Sequence, residues 1–140
     1  MSTPLRIDYV SVDLTQGSAS LMPYATVRLS ASGNYCDVAA LVDSGAALNV
    51  LPYKVGLQLG LDWNEQRTQI RLSGNISDAE ARAILLFVTI GEFPPVRIAF
   101  AWSKRNDIPT ILGQVNFFME YDITFCRSQR YFELIPKSTR

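Results

Sequence analysis

Apolar and polar residues alternate with a period of two along much of the chain. Positions 6–14 (Arg-Ile-Asp-Tyr-Val-Ser-Val-Asp-Leu) and 24–29 (Tyr-Ala-Thr-Val-Arg-Leu) show it clearly, and it predicts strands with one buried face. Small polar residues interrupt the pattern at 16–20 and at 31–34. The second interruption joins 24–29 to a strand at 35–42 as a hairpin. Further strands are predicted at 68–72, 81–90, 96–102 and 110–112. The chain closes with a hairpin of 122–126 and 131–135 around Arg127, Ser128, Gln129 and Arg130. Helical signals are short: two turns at 52–59, ended by Gly60, and two more at 114–120 after Gly113. Short strands with frequent turns predict an all-β barrel or sandwich carrying one or two small helices.

No linker, repeat or low-complexity stretch divides the 140 residues, so 1–140 reads as one domain. The longest apolar run, Ala83 to Ile90, is far short of the roughly 20 residues that cross a bilayer. It is expected to be a buried strand. The first residues, MSTPLRIDYV, lack the apolar stretch of a secretory leader, and a cytoplasmic protein without a membrane partner is expected.

Composition narrows the chemistry. Lys+Arg and Asp+Glu are both 13, and a chain without a basic excess is not expected to hold nucleic acid. Histidine is absent. That excludes a Ser-His-Asp triad, a Cys-His dyad and a His-ligated metal. Cys36 and Cys126 make neither a metal-spaced pair nor a disulfide framework, and Cys36, on an alternating strand, is expected to be a buried hydrophobe. Trp63 and Trp102 are expected in the core, with Phe117 and Phe118 packing the last helix on the barrel.

One segment stands out chemically. The apolar strand Ala40-Leu41-Val42 runs straight into Asp43-Ser44-Gly45-Ala46. A carboxylate there is costly unless something pairs with it. Gly45 permits a tight turn, and Ser44 brings a hydroxyl able to bond backbone or a second copy of itself. The segment therefore presents one carboxylate, held by backbone N–H groups, at the floor of a groove.

Further along stands Thr110-Ile111-Leu112-Gly113, followed by Val115, Phe117 and Phe118. Apolar-apolar-Asp-Ser-Gly-Ala, then a hairpin, then two apolar residues and glycine before a short helix, resembles the retropepsin-like aspartic proteases, the single-lobe relatives of pepsin. The resemblance spans about Val38 to Phe118. It implies a small closed β-barrel with a flap hairpin, needing no metal and no cofactor. Asp43 is then the catalytic carboxylate, and Ser44 bonds across a dimer axis. Gly45 turns the loop, and Leu112 and Gly113 support it from behind. Ala46 lacks the hydroxyl that many relatives place there, which implies one hydrogen bond fewer to the ionised pair. The flap falls around 71–78, with Ser73, Gly74, Asn75 and Ile76 at its tip and fewer glycines than retroviral flaps carry.

A second Asp-Ser/Thr-Gly is missing from the chain. A homodimer joined through the active-site face would supply the second carboxylate by two-fold symmetry, and the substrate would be an extended polypeptide. The rival reading is a non-catalytic module of the same fold that dimerises or binds peptides, since a fold does not dictate a function.

Overall fold

The computed structural model describes residues 3–71 and 80–138. Every second side chain of β4 (Tyr24–Ala31) faces inward, burying Ala25, Val27 and Leu29. β8 (Glu80–Thr89) does the same with Ile84, Leu86 and Val88. For β4 this is the period-two burial that the sequence pattern predicts; the apolar run in β8, expected to be buried, instead leaves Leu85 and Phe87 exposed, because alternate side chains of a strand point to opposite faces. The remaining strands are β1 (Leu5–Asp8), β2 (Val10–Ser11), β3 (Leu21–Met22), β5 (Asn34–Val42), β6 (Val50–Leu51), β7 (Gln69–Arg71), β9 (Val96–Ser103), β10 (Thr110–Leu112), β11 (Tyr121–Cys126) and β12 (Tyr131–Pro136). Among the described residues the α-helices are two and short, α1 (Tyr53–Gln58) and α2 (Phe117–Glu120).

Seven strands form one sheet in the order β4-β5-β10-β6-β9-β8-β7, and β4 also pairs with β8. That last pairing, Leu29 opposite Val88, closes six strands into a barrel and leaves β7 outside the ring. β10 runs parallel to β5, and β6 runs parallel to β9. A second sheet, β1-β12-β11, stands beside the barrel. The fold is all-β with two short helices, as the sequence pattern predicts.

Three details differ from expectation. The strand expected over 6–14 is divided, because β1 pairs with β12 whereas β2 pairs with β3. The chain changes partner at Tyr9, whose N–H donates to the Arg130 carbonyl. The interruption at 16–20 belongs to a 3-10 stretch, Leu14–Ser20, kinked at Gly17 with φ of 58°. The buried Ser20 hydroxyl bonds the Asp13 and Gly17 carbonyls there. The second helix begins at Phe117 rather than 114, because Gln114 and Val115 donate their N–H groups to Ala46 and Ala47 instead of entering a helix.

The core is aromatic at one end. Trp102 stacks on Tyr53 with centroids 5.6 Å apart and meets Trp63 edge-on at 5.2 Å. Both tryptophans are buried. Phe117 stacks on Tyr121 at 4.9 Å. Cys36 is half-buried, and both cysteines are free thiols. Among the described residues, no helix is long and apolar enough to cross a membrane. Among the described residues, no group of three or more metal-binding side chains gathers.

Candidate active site

Asp43 lies one residue past the end of β5, where the apolar run Ala40-Leu41-Val42 stops. Parallel pairing sets Val42 beside Leu112 of β10. The ladder continues one step into the loop, for the Asp43 N–H donates to the Leu112 carbonyl at 2.9 Å. On the other side, the Val42 N–H donates to the Pro23 carbonyl. The residue is thus fixed from two directions before its side chain is considered.

The loop then folds over its own carboxylate. The Gly45 N–H donates to Asp43 Oδ1 at 2.9 Å, and the Ala46 N–H donates to the Asp43 carbonyl at 3.1 Å. The first of these bonds fixes the direction in which the carboxylate points. A Cβ built on Gly45 would stand 3.3 Å from Asp43 Oδ1, so a glycine here keeps that oxygen uncrowded. Asp43 is half-buried, and Ser44 and Gly45 are exposed.

The segment after β10 lies against this loop. Gln114 N–H donates to the Ala46 carbonyl, Val115 N–H donates to the Ala47 carbonyl, and Leu48 bridges to Val115. Contact is closest at Gly113, where an added Cβ would sit 2.6 Å from the Leu48 carbonyl oxygen and 2.7 Å from that of Ala46. Two side chains complete the joint. Gln114 Nε2 donates to the Ser44 carbonyl at 2.8 Å, and the buried Asn49 accepts the Gly113 N–H on Oδ1 at 2.7 Å.

An open groove of about 520 Å³ runs beside the carboxylate. Residues 41–44 line it together with Tyr9, Met22, Pro23 and Phe125. Met22 is 42% exposed and Phe125 37%, so large apolar side chains flank the groove openly. Burial pushes the Tyr9 phenol up, against the opposing pull of Arg127, whose guanidinium lies 5.5 Å from the ring. Asp43 is the single carboxylate among the described residues that line the groove. One carboxylate with one water can take a proton but has no second acid to protonate a substrate carbonyl.

The structure therefore brings Asp43, Ser44, Gly45, Ala46, Leu112 and Gly113 into one joint. The expected flap tip, Ser73, Gly74, Asn75 and Ile76, lies outside the described residues. On either side of residues 72–79, β7 and β8 pair antiparallel, Gln69 with Arg82 and Arg71 with Glu80. Sequence reasoning missed Asn49 and the Gln114 side chain. The first had a signal in the sequence, an amide inside the apolar run Leu48-Asn49-Val50-Leu51, that went unread. Nothing local pointed to the second. It also missed Tyr9 and Phe125, which reach the groove from the β1-β12-β11 side.

No family model and no curated protein matches the chain. Solved structures do. A retropepsin-like aspartic protease from Rickettsia conorii superposes with a TM-score of 0.64 at 14% identity, covering 95% of this chain and 99% of that one. The retroviral protease-like domain of Ddi1 from Leishmania major gives a TM-score of 0.56 at 20% identity, over 71% of this chain and 77% of that one. The closed six-stranded barrel, with an Asp-Ser-Gly loop seated against Leu112-Gly113, has the fold of the retropepsin-like aspartic proteases.

Proposed function

We propose that the protein is an aspartic endopeptidase that works as a homodimer. One observation carries the reading. Asp43 is held at the floor of an open groove by its own loop and by β10, in a barrel of the aspartic protease type. A two-fold axis past Ser44 sets Asp43 against its symmetry mate, an isologous arrangement that needs no second motif in the chain. Two carboxylates at that range share one proton, because both cannot be ionised together. Proton sharing of this kind is the general pattern of aspartic proteases, and it is carried over from that class.

The chemistry follows from that sharing. The ionised carboxylate takes a proton from a water while the water oxygen attacks the scissile carbonyl carbon. The protonated carboxylate gives its proton to the carbonyl oxygen. The tetrahedral diol then collapses: one of its hydroxyls returns a proton to the ionised carboxylate, the C–N bond breaks, and the leaving nitrogen takes the proton of the other carboxyl. One water is consumed and two peptides are released. The substrate is an extended polypeptide, and neither metal nor cofactor enters. We place the protein in the cytoplasm and take 1–140 as one domain.

The test joins assembly and activity. Sedimentation establishes the concentration at which dimer forms, and a peptide library is offered there from acid to neutral pH. Cleavage that vanishes in Asp43→Asn and is blocked by a statine-type mimic supports the reading. A proven dimer that cleaves nothing sinks it.

The exposed Met22 and Phe125 favour one rival, a module of this fold that binds peptides without cutting them. In that case Asp43→Asn leaves peptide binding unchanged, and the protein is a stable monomer at working concentration.

A further inference from the structure

Asn49 is 1% exposed, and every hydrogen-bonding group of its amide except one lone pair is used. Oδ1 accepts the Gly113 N–H at 2.7 Å. Nδ2 donates to the Ala99 carbonyl at 2.9 Å and to Asn116 Oδ1 at 3.3 Å. Asn116 Oδ1 also accepts the Ala99 N–H at 3.2 Å. The two asparagines thus cap both polar groups of one β9 residue. The orientation of the Asn49 amide is forced, since its partners are a backbone donor on one side and a backbone acceptor on the other.

The segment that Asn49 grips is the one that holds Asp43. Leu112 accepts the Asp43 N–H, and Gln114 donates to Ala46. Between them, Gly113 touches the Ala46 and Leu48 carbonyls with no room for a methyl group. Leu112 ends β10, whereas the contacts of 113–115 with 46–48 are loop to loop. Asn49 adds a tie from that pair of loops to the barrel wall at Ala99 of β9. Without its acceptor, the buried Gly113 N–H loses its partner, and buried amides are almost always paired. The segment then shifts to find one, and Leu112 moves with it.

We propose that Asn49 is a positioning residue, setting the place of the Asp43 carboxylate through Gly113 and Leu112. The inference rests on the peptidase reading for its kinetic consequence and on the hydrogen-bond geometry for the rest.

The experiment compares Asn49→Ala with Asn116→Ala, which removes the far end of the network and spares the Gly113 bond. Amide hydrogen exchange is followed by NMR at Gly113 and Asp43, with Leu86 of β8 as the core reference. In the unsubstituted protein both amides are expected to be protected. In Asn49→Ala both exchange at least about tenfold faster relative to Leu86, and kcat falls by about tenfold to a hundredfold with KM changed less than about threefold. Asn116→Ala keeps both protection and kcat within about threefold of the unsubstituted values.

A freely exchanging Gly113 amide in the unsubstituted protein overturns the proposal before any variant is made. So does an Asp43 amide that stays protected in folded Asn49→Ala, or an equal loss of kcat in both variants. If the unsubstituted dimer cleaves nothing, the peptidase reading fails, and the exchange data still decide whether Asn49 holds Asp43 in place.

Discussion

The main-chain N–H of Asp43 donates to the carbonyl of Leu112 at 2.9 Å, so the candidate carboxylate hangs from a strand far along the chain. Parallel pairing of β5 with β10 makes this possible: Val42 lies beside Leu112, and the next rung falls at the loop. The acid then moves with the barrel frame and keeps its place while the exposed loop residues around it stay accessible.

Asp43→Asn separates chemistry from folding. An asparagine carbonyl oxygen accepts the Gly45 N–H as the carboxylate does at 2.9 Å. Stability should stay within about 1 kcal/mol of the unsubstituted protein, read by urea unfolding, while peptide cleavage disappears. A variant that unfolds at far lower urea would show that the carboxylate is structural.

Gly113→Ala should be costly although it adds one methyl group. The new Cβ would press on the Leu48 and Ala46 carbonyls at 2.6 and 2.7 Å, and backbone cannot swing aside as a side chain does. Overpacking of this kind costs about 1–3 kcal/mol. Denaturant unfolding measures it, and cleavage should fall with it because Leu112 and Asp43 are displaced together. An unchanged midpoint would refute the close approach.

Gly56→Ala sets two effects against each other. In a solvent-facing helix the exchange stabilises by about 0.5–1 kcal/mol. Here Gly56 lies in α1 under the indole of Trp102, and a Cβ would overlap the ring. Trp102 is buried, stacked on Tyr53 and bonded through Nε1 to the Tyr53 carbonyl at 3.1 Å, so it has no vacant direction in which to retreat. The overlap should win, for a net loss of about 1–2 kcal/mol, with a shift in tryptophan emission as the local signature. A gain in stability would mean that the ring moves freely.

Alkaline pH should act through Tyr121. Its side chain is 1% exposed, and no described group hydrogen-bonds its hydroxyl. Burial pushes the phenol from 10 up to about 12. The unfolded chain releases that proton near pH 10 and the folded chain keeps it until about 12. Stability that is full below pH 10 therefore drains away between pH 10 and 12, by roughly 2–3 kcal/mol. Tyr121→Phe should remove this part of the decline and also raise stability near neutrality by about 1 kcal/mol, because an unpaired buried hydroxyl is lost. Coincident stability profiles for the two proteins from pH 7 to 12 would contradict both effects.

Much of the architecture was written locally. Alternation over 24–29 and 35–42 marks strands because neighbouring side chains must point to opposite faces, whatever lies across from them. The Asp-Ser-Gly turn is equally local, since Gly45 bonds the side chain just two positions before it. The absence of histidine needed no coordinates to exclude the commonest nucleophile chemistries. Partner choice was not legible in this way. The alternation through 6–14 is continuous, yet the chain changes sheets at Tyr9, because period two encodes a face and leaves the neighbour open. Closure of the barrel by Leu29 against Val88 depends on strands widely separated in the chain. The Asn49 amide meets groups 50, 64 and 67 positions away. Such contacts are selected by the packing of the whole core and the need to pair every buried polar group, conditions that no short window of residues contains.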